Sequence, residues 1–201
     1  IINEDQGAWF AGQIRAFDLT PHTVDVLLAR ENLPVRERAL QTIVKNRVNR
    51  GGILAAGAGK VRWGENGKGI ASRWYPDTLA NRILDIVAIR DQLSFVHGDG
   101  LHVIRQNSYR QDIAFFIDPP YTAAGKKPGS RLYTCSDLDH NMLFELVSQA
   151  AGDFLMTYDD VEDIRRLASQ WEFETQSVAM KNTHHARKTE LLIGRDLGWL
   201  R

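Results

Sequence analysis

The sequence lacks several things that would have decided its class early. Its single cysteine, Cys135, cannot close an internal disulfide, so a disulfide-stapled secreted domain is excluded and a reducing cytoplasm is the expected setting. No apolar run approaches the roughly 18 to 20 residues of a membrane span, and no secretory leader pattern is present. A charge excess is also missing, with 25 basic residues balancing 25 acidic ones. Whole-chain electrostatics therefore give no reason to expect a nucleic-acid partner. Repeats and low-complexity tracts are absent as well. At 201 residues, 43% hydrophobic and 25% charged, the chain has enough apolar material for one sizeable core with a small insertion.

What is there is unevenly placed. Residues 45–73 hold Lys45, Arg47, Arg50, Lys60, Arg62, Lys68 and Arg73 against one acid, Glu65, so one basic segment sits on an otherwise acidic remainder. That segment, from 49 to 75, is rich in glycine and aromatic residues and reads as a long loop, which is usually functional. Helical signals precede it at 8–16, from Thr20-Pro21 to about 30, and from Pro34 to about 46. Pro76-Asp77 opens a periodic helix with Leu79, Ile83, Ile86, Val87 and Ile89 as its expected inward face.

Beyond it, short apolar runs at 93–96, 113–117 and 154–157 predict strands buried on both faces. Helical segments at 101–105, 139–151 and 161–170 supply crossovers, and 173–180 with 189–194 suit an antiparallel hairpin at one edge. The expected fold class is α/β, an open and mostly parallel sheet with an antiparallel edge hairpin, whose ligands bind outside the carboxyl ends of the strands.

The most specific feature is Asp118-Pro119-Pro120-Tyr121, directly after the apolar run Ile113-Ala114-Phe115-Phe116-Ile117. Two consecutive prolines cannot donate to a ladder, so the strand must stop. They also stiffen the turn, fixing the carbonyls of Asp118 and Pro119 and leaving the Asp118 carboxylate at the ligand-binding edge. Methylation of an adenine amino group needs such an arrangement. The nitrogen lone pair is delocalised into the ring, and it becomes nucleophilic when a fixed carboxylate and a fixed carbonyl accept hydrogen bonds from the amino group. An aromatic ring after the prolines can stack on the base, and the gain comes from positioning and electrostatics. A rigid turn with Asp118 capping a neighbour is the structural alternative.

With these residues the chain resembles the Dam-like DNA adenine-N6 methyltransferases, which have a class I, Rossmann-like methyltransferase fold. The run Lys45-Asn46-Arg47-Val48-Asn49-Arg50-Gly51-Gly52 looks like the family's Asn/Arg-rich segment ahead of its DNA-contacting region. Arg131-Leu132-Tyr133, Asp139-His140, residues 154–159, residues 180–185 and residues 190–193 look like later landmarks in order. The resemblance implies a catalytic core from 1–19 and 76–201, with 20–75 as an inserted helical and loop DNA-recognition region. It implies S-adenosylmethionine as cofactor, with Glu4 on the ribose hydroxyls, Asp99 and Gly100 near the cofactor's adenine, and Asp118 beside the methyl donor. The family's Phe-x-Gly-x-Gly loop is not among the 201 residues and is expected ahead of Ile1.

In this reading Asp118, Pro119, Pro120 and Tyr121 are catalytic, and the partner is duplex DNA with a flipped adenine. Arg47, Asn49, Arg50, Lys60, Arg62, Lys68 and Arg73 would hold phosphates or read base edges, with Trp63, Trp74 and Tyr75 available to stack. Lys126, Lys127 and Arg131 form a second basic loop after the catalytic turn. RNA adenine methylation and a noncatalytic DNA-binding descendant stay open. Other motifs carry less. Gly57-Ala58-Gly59-Lys60 lacks the first glycine and the final Ser or Thr of a phosphate loop, Cys135 has no preceding proline, and the six histidines lack metal-ligand spacing, so no metal is expected.

Overall fold

The computed structural model describes residues 6–55, 57–64, 67–120, 138–181 and 187–200. The chain divides into two compact units, Ile1–Val96 and His97–Arg201. No helix among the described residues is long and apolar enough to cross a membrane.

The first unit is helical. Helix α1 (Gly7–Ala16) buries Gly7, Phe10, Ala11 and Ile14, one face at helical spacing. Helix α2 (Pro21–Leu28) begins where Thr20-Pro21 predicts it, with a capping box in which Thr23 N donates to Thr20 Oγ1 at 3.1 Å and Thr20 N to Thr23 Oγ1 at 3.0 Å. Helix α3 (Val35–Val48) runs two residues past the expected end. Helix α4 (Pro76–Ala88) starts at its proline.

Phe10, Ile14 and Leu79 form one small core, and Val24, Leu27, Val44 and Val48 another. Trp74 packs against both, edge-on to Phe17 with ring centroids 5.8 Å apart. Its ring is therefore core material rather than the free stacking surface expected of it. The inward face of α4 is also narrower than its periodicity suggests. Leu79 is buried, Ile83, Ile86 and Val87 are half-buried, and Ile89, just past the last turn, is exposed.

The second unit is α/β. Strand β1 (Ala114–Ile117) pairs in parallel with β2 (Asp153–Asp159), in a register that sets Phe116 opposite Leu155 and Ile117 opposite Met156. Strands β3 (Glu174–Lys181) and β4 (Arg187–Gly194) form an antiparallel hairpin, and β4 lies antiparallel to β2, giving the order β1-β2-β4-β3. Helices α5 (Gly100–Asn107), α6 (His140–Ser148) and α7 (Glu162–Gln170) join the sheet in one core. Phe154, Met156 and Tyr158 of β2, with Leu191 and Ile193 of β4, meet Leu143, Phe144, Val147, Ile164 and Leu167 there.

The described sheet is mixed, where the sequence predicts a mostly parallel one. One pairing is parallel and two are antiparallel, because β4 returns from the hairpin to lie beside β2. The run at 93–96, expected to be a further parallel strand, pairs with nothing among the described residues, and Phe95 and Val96 are 85% and 70% exposed. Four residues, three of them apolar, have too little periodicity to separate a strand from an extended connection.

Candidate functional site

Asp118 follows β1 at the carboxyl end of the parallel pair, the end at which open α/β sheets bind their ligands. It is exposed, while Pro119 is buried and Pro120 half-buried, so the rigid turn is anchored and its carboxylate reaches solvent. The β1–β2 register, carried one step beyond Ile117, brings Asp118 opposite Thr157. Thr157 Oγ1 donates to Asp118 Oδ1 at 2.7 Å. A carboxylate offers about four acceptor sites, so this bond orients the group without exhausting it. The sequence places Thr157 within the 154–159 landmark and assigns it no role of its own. Its only signal is a hydroxyl closing the apolar run 154–157.

The start of β2 is held just as closely. Asp153 N donates to Ile113 O at 3.1 Å, and Arg195 Nη2 donates to Ala150 O at 2.6 Å. Gly152 lies between them, and a Cβ there would stand 2.2 Å from Ile113 O, closer than any side chain tolerates. The close approach of these backbones therefore requires glycine, and it sets the register that aligns Asp118 with Thr157. A cavity of about 420 Å³ is lined by Ala114, Phe116, Leu155, Arg195 and Trp199 among others, and Asp118 is not part of its lining.

Asp99 is the N-cap of α5, accepting from Leu101 N at 3.0 Å through Oδ1, and it is exposed. Gly100 opens that helix, and a Cβ there would meet nothing within 4 Å, so packing does not demand glycine. Past the end of β2, Asp160 accepts from both Arg165 Nε (2.7 Å) and Nη2 (2.8 Å) and from Ser177 Oγ (2.9 Å). The Arg165 bond holds its carboxyl below the usual range. His140, at the start of α6, lies with Nδ1 3.0 Å from the buried Tyr158 hydroxyl. Burial pushes its imidazole below the usual range, against a smaller opposing pull from Asp139.

The basic segment of the first unit contains residues of several kinds. Asn49 is 2% exposed, its Nδ2 donates to Ile53 O at 2.8 Å, and its backbone bridges to Lys60, so its side-chain amide serves the turn. Arg50 opens a short 3-10 turn through Gly52 and is exposed. Gly52 has φ +73°, and a Cβ would come 2.9 Å from Asn46 Nδ2, so this turn needs glycine. Lys60 pairs with Asp25. Arg62 and Lys68 are exposed, as is Trp63, while Tyr75 is half-exposed. Arg73 Nη1 donates to Asn49 O at 3.1 Å and more weakly to Asn46 O at 3.5 Å, closing the carboxyl end of α3.

Glu4, Tyr121, Lys126, Lys127 and Arg131, expected respectively at the cofactor, on the base and over the catalytic turn, lie outside the described residues. Among the described residues, no group of three or more His, Cys, Asp and Glu side chains is placed to hold a metal ion. No family model and no curated protein matches this chain.

Proposed function

We propose that the protein is an S-adenosylmethionine-dependent DNA methyltransferase of the class I fold, acting on the N6 amino group of adenine. The observation that carries this reading is the exposed carboxylate of Asp118, oriented by Thr157 at the carboxyl end of a parallel strand pair and followed by two prolines. In the proposed reaction, the Asp118 carboxylate and a backbone carbonyl of the Pro119 turn accept hydrogen bonds from the amino group. That draws the nitrogen lone pair out of conjugation and aims it along one line. Holding the acceptors rigid removes reorganisation from the reacting step.

The described residues fit the cofactor in chemical kind. Its adenine amino group and ribose hydroxyls are donors, and the exposed carboxylates of Asp99 and Asp118 are acceptors. Asp99 uses Oδ1 to cap α5, so helix formation itself fixes where its carboxylate stands. When bound, the cofactor supplies an electrophilic methyl group. Arg50, Arg62 and Lys68, exposed on the first unit, are suited to phosphate contacts. The test is transfer of labelled methyl to duplex DNA by the full-length protein, with the product nucleoside identified by mass spectrometry. N6-methyladenine in DNA is the expected product, and preferential transfer to RNA would replace the DNA reading.

A further inference from the structure

We infer that the Trp63 ring stacks on a base of bound duplex DNA at an opened step, presented by a turn whose backbone the first unit already holds in place. This rests on the DNA reading above and deepens it, by separating the ring that would touch a base from the cations that would touch phosphate. Of the three rings at the basic segment, Trp74 packs into two cores and Tyr75 is half-exposed, whereas Trp63 is 82% exposed. An exposed ring alone points to nothing, since single apolar side chains are common on protein surfaces. Its setting is what points to a ligand.

The backbone of Trp63 is pinned from both sides. Val61 N donates to Val48 O at 2.8 Å, tying the approach to the last residue of α3, and Gly69 N donates to Trp63 O at 2.8 Å. Between these bonds Gly64 has φ +60°, and a Cβ there would stand 2.5 Å from Gly69 O and 2.5 Å from the Oγ of Ser72, which is itself buried. The ring therefore projects from a turn that needs little further ordering when a partner covers it. Arg62 directly precedes the ring, and Lys68 directly precedes the residue bonded to its carbonyl. Both are exposed, and neither has an acidic partner among the described residues, unlike Lys60, which pairs with Asp25. A flat ring between two unpaired cations is the complement of a polyanion that carries flat faces: bases stack on aromatic side chains while neighbouring phosphates take the charge. In a fully paired duplex those faces are covered by their neighbours, so stacking needs a step that is kinked or unstacked, as inserted side chains make it.

The experiment measures binding of the full-length protein to fluorescent duplexes by anisotropy across a salt series, one duplex fully paired and the other with a single abasic position that leaves a step open. Wild type is expected to prefer the open duplex. Trp63→Ala is expected to bind the open duplex about tenfold more weakly, to lose the preference, and to keep the slope of log affinity against log salt, because an uncharged ring displaces no counterion. Trp63→Phe keeps most of the affinity, whereas Trp63→Leu, apolar but without a π face, falls with alanine. Arg62→Gln lowers the slope by about 1. Trp199→Ala, which removes a ring 67% exposed on the second unit, changes neither quantity. Without DNA, Trp63→Ala is expected to melt at the wild-type temperature, and a lower one would show the ring packing against its own chain and overturn the inference. Unchanged affinity in Trp63→Ala, or wild-type affinity in Trp63→Leu, in a wild type that binds and methylates DNA, would overturn the stacking role and leave the methyltransferase reading intact. A wild type that binds neither duplex overturns both, and if vesicles of anionic phospholipid then bind wild type but not Trp63→Ala, the partner of the ring is a membrane surface.

Discussion

Thr157 on β2 donates its hydroxyl to the carboxylate of Asp118, the residue immediately after β1, across 2.7 Å. The bond joins the two parallel strands at their carboxyl ends and gives the proposed acceptor one orientation. Hydrogen bonds to charged groups contribute about 1.5 to 3 kcal/mol. If orientation matters chiefly during transfer, Thr157→Val lowers the methylation rate by about ten- to a hundredfold, with DNA affinity unchanged. Thr157→Ser keeps the hydroxyl and retains most activity. Equal rates for Val and wild type would show that the bond is only structural.

Asp99 caps α5 and, in the proposed function, also accepts from the cofactor; substitution separates the two. Asparagine caps a helix about as well as aspartate, whereas alanine costs about 1 kcal/mol. Asp99→Asn is therefore expected to melt like wild type while binding S-adenosylmethionine about tenfold more weakly by calorimetry, because a charge-assisted acceptor is lost. Asp99→Ala loses both stability and affinity. Full cofactor affinity in Asp99→Asn would leave Asp99 as a cap alone.

The burial of His140 makes stability depend on pH. Its folded imidazole lies below the ordinary value of about 6.5, so the unfolded chain takes up the proton first as pH falls. The associated stability is present above about pH 6.5 and is lost as pH drops through the folded value. Melting temperatures between about pH 8 and about pH 5 should fall more steeply for wild type than for His140→Gln. Titration of the ring by NMR at or above about 6.5 would contradict this.

Gly152→Ala tests the register. Its Cβ would stand 2.2 Å from Ile113 O and 2.9 Å from Arg110 O, both backbone atoms that cannot swing aside. A loss of about 2 kcal/mol or more, roughly 4 to 8 °C in melting temperature, is expected. An unchanged melting temperature would mean that the strands can separate at this point without cost.

Local chemistry made much of this architecture readable. Thr20-Pro21 and Pro76 mark real helix starts, and Asp118-Pro119-Pro120 marks the real end of a strand, because capping and the missing proline donor act within a few residues. The run at 93–96 misled because its composition suits a strand while its pairing depends on partners distant in sequence. Asn49 and Trp74 were assigned to the partner on residue type, and tertiary structure engages them internally, at the Ile53 carbonyl and between two cores. Thr157 carried only a hydroxyl as a local signal. It gains its meaning from a residue beyond its own strand, Asp118.

Methyl transfer by Asp118→Ala is the sharpest single measurement. Steady-state incorporation of labelled methyl into duplex DNA, compared with wild type at equal folded concentration and saturating cofactor, should fall at least a hundredfold with DNA affinity preserved, the loss expected when a fixed acceptor of the reacting group is removed. A variant that transfers methyl groups at the wild-type rate would show that the Asp118 carboxylate takes no part in activating the amino group.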